Sequence, residues 1–224
     1  MLNQEITDIL DASASMGWIM EPDAKKLLRL AGIDTTRFIF TEDPEAAAAF
    51  AKDLGYPVVA KVVSPRIVHK SDVGGVAAGI TNEGDLNRAF GRMMLLDGAT
   101  GVIVEEMVKG VELIAGAKID DQFGPIVLLG AGGTAVEIYK DVALRMAPLV
   151  EKDVGSMLAS LKARPLLEGY RGAEPIDVGA LTAMLLNFSA LLMDLGDRIE
   201  SIDLNPVICS PTRAVAADAR IILR

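Results

Sequence analysis

Residues 55–76 read GYPVVAKVVSPRIVHKSDVGGV: an apolar run, a polar loop and the start of a second apolar run. PVVAKVV at 57–63 is nearly all apolar, the pattern of a strand buried on both faces. SPRIVHKSDVGG at 64–75 holds a proline, charges, a serine and a glycine pair, so it reads as a loop between strands. VAAGIT reads as the second strand. Two residues in this stretch carry chemistry. Lys61 has only apolar neighbours, and a lysine in a buried strand is costly unless an anion meets it. The alternative is an edge-strand lysine whose tip reaches water. His69 is the only histidine in the chain. An imidazole in a polar loop, next to Lys70 and close to Gly74–Gly75, calls for a chemical role; the plain alternative is a silent side chain.

Around that stretch, the composition sets bounds. A chain of 224 residues suits one large domain or two small lobes, and its half-hydrophobic content supplies an ample core. The 22 basic and 31 acidic side chains give a net charge of −9, which argues against nucleic acid as the main partner. A single cysteine, Cys209, excludes an intrachain disulfide and fits a reducing, cytoplasmic setting. MLNQEITDIL does not read as a signal peptide. LTAMLLNFSALLMDL at 181–195 is interrupted by Asn187, Ser189 and Asp194 and is expected not to span a membrane.

The element pattern is mixed α/β. Pro22 followed by AKKLLRLAG predicts a helix that stops at Gly32, and TEDPEAAAAFAKDLG predicts another with Asp43 as N-cap and Gly55 as stop. Further helices are expected at 83–96, near 151–160 and at 178–194. Strands are expected in GVIVEEMV, VELIAGAKID and PIVLLG, with VEIYKDVALRMAPL partly extended. RIESIDLNPVIC and RAVAADARIIL are expected to form an antiparallel pair. The expected organisation is an N-terminal extension at 1–19, a first lobe at 20–104 and a second at 105–224.

Three further groups bear on chemistry. Glu105 and Glu106 end one strand and Glu112 opens the next; a carboxylate there can accept a hydrogen bond from a sugar hydroxyl or an exocyclic amine. LGAGGTAVEI at 129–138 is glycine-rich but matches neither the Rossmann nor the Walker pattern. Its glycines, Gly132 and Gly133 among them, either bring backbone N–H groups to an anion or make a tight turn. DLNP and AADAR place Asp203, Asn205 and Asp218 on neighbouring terminal strands. Asp203 and Asn205 share a face, a hard-oxygen set suited to Mg²⁺, or simply turn chemistry at Asn-Pro.

From about residue 20 to the end, the chain resembles the ATP-grasp β subunit of the ADP-forming acetyl-CoA synthetases (NDP-forming acyl-CoA synthetases), relatives of the succinyl-CoA synthetase β chain. The resemblance rests on the stretch at 55–76 together with GVELIAGAKIDDQFGPIVLLGAGGTAVEIYKDVALRMAPL, RPLLEGYRG and IDLNPV. It implies an ATP-grasp fold, two mixed α/β (α+β) lobes clamping ATP or ADP. It implies Lys61 on the phosphates, with Lys70 and the Gly74–Gly75 pair letting the loop approach the nucleotide. The strand end Glu105–Val108, including Met107 and Val108, would lie along the adenine and Glu112 near the ribose. Asn205 and Asp218 match the metal positions, with Asp203 in support, and His69 matches a phosphorylatable histidine. In the family a CoA-binding Rossmann domain and a second phosphohistidine lie on an α subunit or a fused N-terminal half, so a CoA-binding α subunit is the expected partner. Two other readings stay open: a ligase that forms an acyl phosphate directly, and a nucleotide-sensing subunit without catalysis.

Overall fold

The computed structural model describes residues 2–133 and 141–224. In chain order its main elements are α1 (Gln4–Ser13), β1 (Trp18–Ile19), α2 (Glu21–Leu30), β2 (Phe38–Thr41), α3 (Pro44–Leu54), β3 (Val58–Val63), β4 (Val76–Ile80), α4 (Glu83–Met93), β5 (Gly101–Glu106), β6 (Val111–Asp120), β7 (Gly124–Ala131) and β8 (Val142–Met146). There follow α5 (Glu151–Ser160), α6 (Arg164–Leu167), α7 (Val178–Leu195), β9 (Ile199–Cys209), β10 (Ala214–Ala216) and β11 (Arg220–Leu223). They divide into two units, Thr36–Val108 and the pair of segments Met1–Thr35 and Lys109–Arg224.

The smaller unit is an antiparallel sheet in the order β2-β5-β3-β4. Its helices start as the sequence predicts. The Asp43 carboxylate accepts from the Glu45 N–H at 2.9 Å with Pro44 at the first helical position, and Asn82 caps α4 through the Asp85 N–H at 2.9 Å. Alternation along the strands divides the sheet. Val58, Ala60, Val62, Val102 and Val104 form a core with Ala47, Ala51, Leu86, Phe90 and Met93 from α3 and α4. Lys61, Ile103 and Glu105 therefore lie on the opposite face.

The larger unit holds a sheet in the order β1-β11-β9-β6-β7-β8, with β10 also paired to β9; every pairing among its named strands is antiparallel. Leu113, Ala115, Val127, Leu129, Ile202, Leu204 and Val207 pack on one face against α1, α2, α5 and α7. By length and hydropathy alone, Val178–Arg198 could cross a membrane, a reach that the shorter window 181–195 understates. The structure accounts for its apolar character: Leu181, Leu185, Phe188 and Leu192 are fully buried in this core.

The unit bounds differ from those expected at 19/20 and 104/105. Ile6, Ile9 and Leu10 of α1 belong to the larger core, and β1 pairs with β11 through Trp18↔Ile222 and Ile19↔Ile221. β5 runs on to Glu106, so residue 104 lies inside a strand.

Candidate active site

Lys61 is only 6% exposed, as expected of a strand buried on both faces. The register of β3 on β5 is Val59↔Glu105 and Lys61↔Ile103, which makes Lys61 and Glu105 diagonal neighbours on one face. The Lys61 Nζ lies 2.7 Å from Glu105 Oε1, and Glu105 is 2% exposed. The Thr36 hydroxyl donates to the other oxygen of the same carboxylate. The anion that meets Lys61 in this structure is thus a carboxylate of its own sheet. Glu106 points elsewhere: its carboxylate accepts from the Arg37 N–H at 2.9 Å and Arg37 Nε at 3.4 Å, tying the end of β5 to the start of β2. Met107 and Val108 follow the end of β5, Met107 exposed and Val108 half-buried.

His69 stands exposed in the loop that joins β3 and β4. That loop is closed at its base. The Gly75 N–H donates to the Lys70 carbonyl at 2.7 Å and the Val62 N–H to the Gly75 carbonyl at 2.8 Å. A Cβ on Gly75 would sit 2.6 Å from Val62 Cγ1 and 2.9 Å from the Lys70 oxygen, so only glycine allows this closure. Gly74, at φ 69°, ends the single turn Ser71–Val73 just before it. The far side of the loop is held by Ser64, whose hydroxyl donates to the Asp97 carbonyl at 2.7 Å. Between these two fixed points His69 is exposed, while Lys70, whose carbonyl is one of the anchors, is half-buried.

In the larger unit, Glu112 opens β6 opposite Ile208 and its side chain is exposed. The Gly132 N–H donates to the Glu112 carbonyl at 2.8 Å, and a Cβ on Gly132 would meet that peptide at 2.6–2.7 Å. Close backbone packing therefore explains Gly132, and its N–H is already used. Gly133 follows in the left-handed region. The rest of the expected loop, 134–138, lies outside the described residues.

Asp203 and Asn205 lie on β9, on the face away from the core, and Asp218 sits between β10 and β11. Arg220 pairs with Asp203 across the strands and reaches it at 3.9 Å. Burial pushes the Asp203 carboxyl above its ordinary range; Arg220 opposes the shift and the nearby Asp218 charge adds to it. Two carboxylates close enough to feel each other, beside an exposed amide, are a hard-oxygen set that a small divalent cation would relieve. Among the described residues no cluster of three or more His, Cys, Asp or Glu side chains is gathered for a metal, so the third protein oxygen here would come from Asn205.

With this geometry in hand, comparison with known proteins is informative. Residues 12–223 match the family described as an ATP-grasp domain. The chain belongs to the ATP-grasp family. Its relatives within that family include the β subunit of acetate–CoA ligase [ADP-forming] I from Pyrococcus furiosus. That protein is 40% identical over 214 residues, covering 92% of this chain and 91% of its own. Acetate–CoA ligase [ADP-forming] II from Archaeoglobus fulgidus is 41% identical over 206 residues, but there the match spans only 30% of a longer polypeptide. Among solved structures, acetyl-coenzyme A synthetase 1 of Ca. Korarchaeum cryptofilum, in complex with coenzyme A and Ca-AMPCP, superposes with a TM-score of 0.90 at 39% identity, covering 97% of this chain and 99% of that one. A further structure of that synthetase, with Mg-AMPPCP, has its phosphohistidine segment pointing towards the nucleotide binding site.

Three buried polar arrangements escaped the reading of the sequence. Thr36 carries no motif, and only the fold brings it to Glu105. Asp141 is buried and accepts two backbone N–H groups, from Lys162 at 2.8 Å and Ala163 at 2.7 Å, fixing the entry to α6. Lys25 is fully buried and paired with Glu21 at 3.0 Å; their spacing of four on a helix was the available signal.

Proposed function

We propose that this chain is the nucleotide-handling β subunit of an ADP-forming acyl-CoA synthetase, passing a phosphoryl group through His69 between ATP or ADP and an active site on a CoA-binding α subunit. The observation that carries the reading is the His69 loop: the sole imidazole of the chain, exposed on a segment closed at its base by Gly75 and leading out of the strand that holds the buried Lys61. A neutral imidazole is a good nucleophile near neutral pH. One ring nitrogen attacks the γ-phosphorus of ATP, the bond from that phosphorus to the bridging oxygen breaks, and ADP leaves with the electron pair. The N–P bond formed is labile enough for the phosphoryl group to move on to an acceptor, and the same step run backwards makes ATP.

In this reading Lys61 supplies positive charge to the phosphates and Lys70 adds to it from the loop. Met107 and Val108 provide apolar contact for the base, and Glu112 hydrogen-bonds the ribose. A magnesium ion held by Asn205 and Asp218, with Asp203 beside them, would add charge neutralisation at the phosphate oxygens.

The test is labelling with γ-labelled ATP and Mg²⁺, with and without the α subunit. Label on this chain should be acid-labile and base-stable, and His69→Ala should abolish it together with turnover while leaving ATP binding largely intact. An acid-stable adduct would assign the label to Ser71, and one cleaved by hydroxylamine to Asp72. Full activity in His69→Ala would remove the phosphohistidine and favour direct acyl-phosphate formation.

A further inference from the structure

The near limb of the His69 loop is tied down by one hydroxyl. Ser64, the first residue after β3, is 3% exposed. Its hydroxyl donates to the Asp97 carbonyl at 2.7 Å and accepts from the Arg66 N–H at 3.1 Å. The Thr100 N–H, donating to the Val63 carbonyl at 2.8 Å, continues the pairing of β3 with β5 up to this point, and Ser64 carries the attachment one residue further. The Ile67 N–H, 3.4 Å from the Ser64 carbonyl, closes the turn that follows. Opposite Ser64 the chain leading into β5 has no side chain. Gly98 lies at φ 65°, and a Cβ there would sit 2.9 Å from Arg66 Cδ and 3.2 Å from Ser64 Oγ. Arg66 also meets the Asp97 carboxylate at 2.9 Å, but those side chains are 69% and 72% exposed, and an ion pair so open to water holds little.

Past the turn the chain comes away from the core. Ile67 still packs against it, whereas Val68, His69 and the run from Ser71 to Gly74 are exposed, until the buried Gly75 is reached. We infer that Ser64 is a positioning residue for phosphoryl transfer: by fixing the near limb of the loop it sets the place and angle at which His69 presents its ring nitrogen. The inference rests on the proposed role of His69 as phosphoryl carrier. Group transfer tolerates little misplacement, and an error of about 1 Å can cost about 100-fold in rate. A residue on an exposed stretch takes its position from the points where that stretch is attached. At the far limb the attachment is backbone to backbone, from the Gly75 N–H to the Lys70 carbonyl. At the near limb it runs through a buried side chain, so it can be removed by substitution. Lys61 lies upstream in β3, so the loss of Ser64 should disturb the delivery of the imidazole more than the grip on nucleotide.

Ser64→Ala removes both hydrogen bonds and little volume. The measurement is the rate constant for acid-labile label on His69 of the full chain, at saturating γ-labelled ATP and Mg²⁺, followed by rapid quench. It should fall about tenfold in Ser64→Ala, while ATP affinity by calorimetry stays within about twofold of wild type. Ser64→Thr keeps the hydroxyl and should recover the rate to within about threefold. An unchanged rate constant with a lowered thermal midpoint would overturn the inference and leave Ser64 a plain turn residue. Equal loss in Ser64→Ala and Ser64→Thr would overturn it as well, because the hydroxyl would not be what matters. Should Ser64→Ala fail to fold, Gly98→Ala decides, since its Cβ presses on the same oxygen from the other side: slower labelling supports the positioning role and a wild-type rate sinks it. The two readings fail separately. A wild-type chain that takes no acid-labile label removes the His69 reading and this inference with it, whereas wild-type labelling that is indifferent to the loss of Ser64 removes the inference alone.

Discussion

In the smaller unit a cation and an anion meet at 2.7 Å with almost no exposure; on the outer face of the larger sheet, Arg220 stands 3.9 Å from Asp203, whose side chain is 45% exposed. The two regions manage charge differently. The buried pair is balanced within the protein, and its geometry holds the Lys61 ammonium in place. Around Asp203 the contact is longer and the side chains are partly exposed, so the pairing is weaker.

The largest effect that could break this contrast is in the buried pair. Lys61→Met leaves Glu105 with its charge in a buried site, and removing one partner of such a pair typically costs about 3–5 kcal/mol. A similar apolar volume does not offset the loss of that charge partner. A shift of the urea midpoint to lower concentration, largely restored in the double variant with Glu105→Gln, is the expected result, and equal midpoints for wild type and Lys61→Met would show that Glu105 is compensated elsewhere.

On the larger sheet the order of effects reverses. Asn205→Ala or Asp218→Ala should raise the Mg²⁺ concentration for half-maximal activity about tenfold, equivalent to about 1.4 kcal/mol, while stability moves by no more than ~0.5 kcal/mol. A magnesium titration of each variant checks this; wild-type Mg²⁺ dependence in both would return these residues to turn chemistry.

Smaller effects sharpen the picture. The Tyr56 hydroxyl is buried with no hydrogen-bond partner among the described residues, and burial pushes its pKa above that of an ordinary phenol, with the Glu83 charge adding to the shift. Tyr56→Phe removes an unsatisfied polar group, and should leave stability unchanged or raise it by up to about 1 kcal/mol. Smallest of all is the effect at Cys209, on the core side of the strand that carries Asn205. Burial pushes its thiol up to about 12, so the reactive thiolate is scarce at neutral pH. Iodoacetamide should label it only after denaturation, and rapid labelling of the native chain would mean that the core side of β9 opens.

The apolar run at 57–63 was legible because every residue but one obeys the rule for a buried strand, and the exception announced that an anion had to be near. Which anion was not legible. A phosphate and a carboxylate satisfy a lysine equally well, and Glu105 becomes its neighbour only through the register of β3 on β5. Gly132 shows the same limit: its residue type promised a close approach, but only the structure says that the approach is to the Glu112 peptide and that the N–H is spent there. Helix starts were read well, as at Asp43, whose cap was expected, and at Glu83, which begins the helix expected there. The role of residues 1–19 was hidden because β1 is just two residues long and its partner strand is the last in the chain.

That last pairing governs the order in which the molecule can be assembled. Thr36–Val108 is one continuous stretch, whereas the sheet of the other unit needs both Trp18–Ile19 and Arg220–Leu223, joined also by the Leu223 N–H to the Gly17 carbonyl at 2.8 Å. During synthesis the contiguous unit can complete its contacts while the ribosome still holds the remainder. Strand β1 has to wait for Arg220–Leu223 to emerge. Contacts so distant in sequence carry a high entropic cost of closure, so the second sheet should be the slower to form.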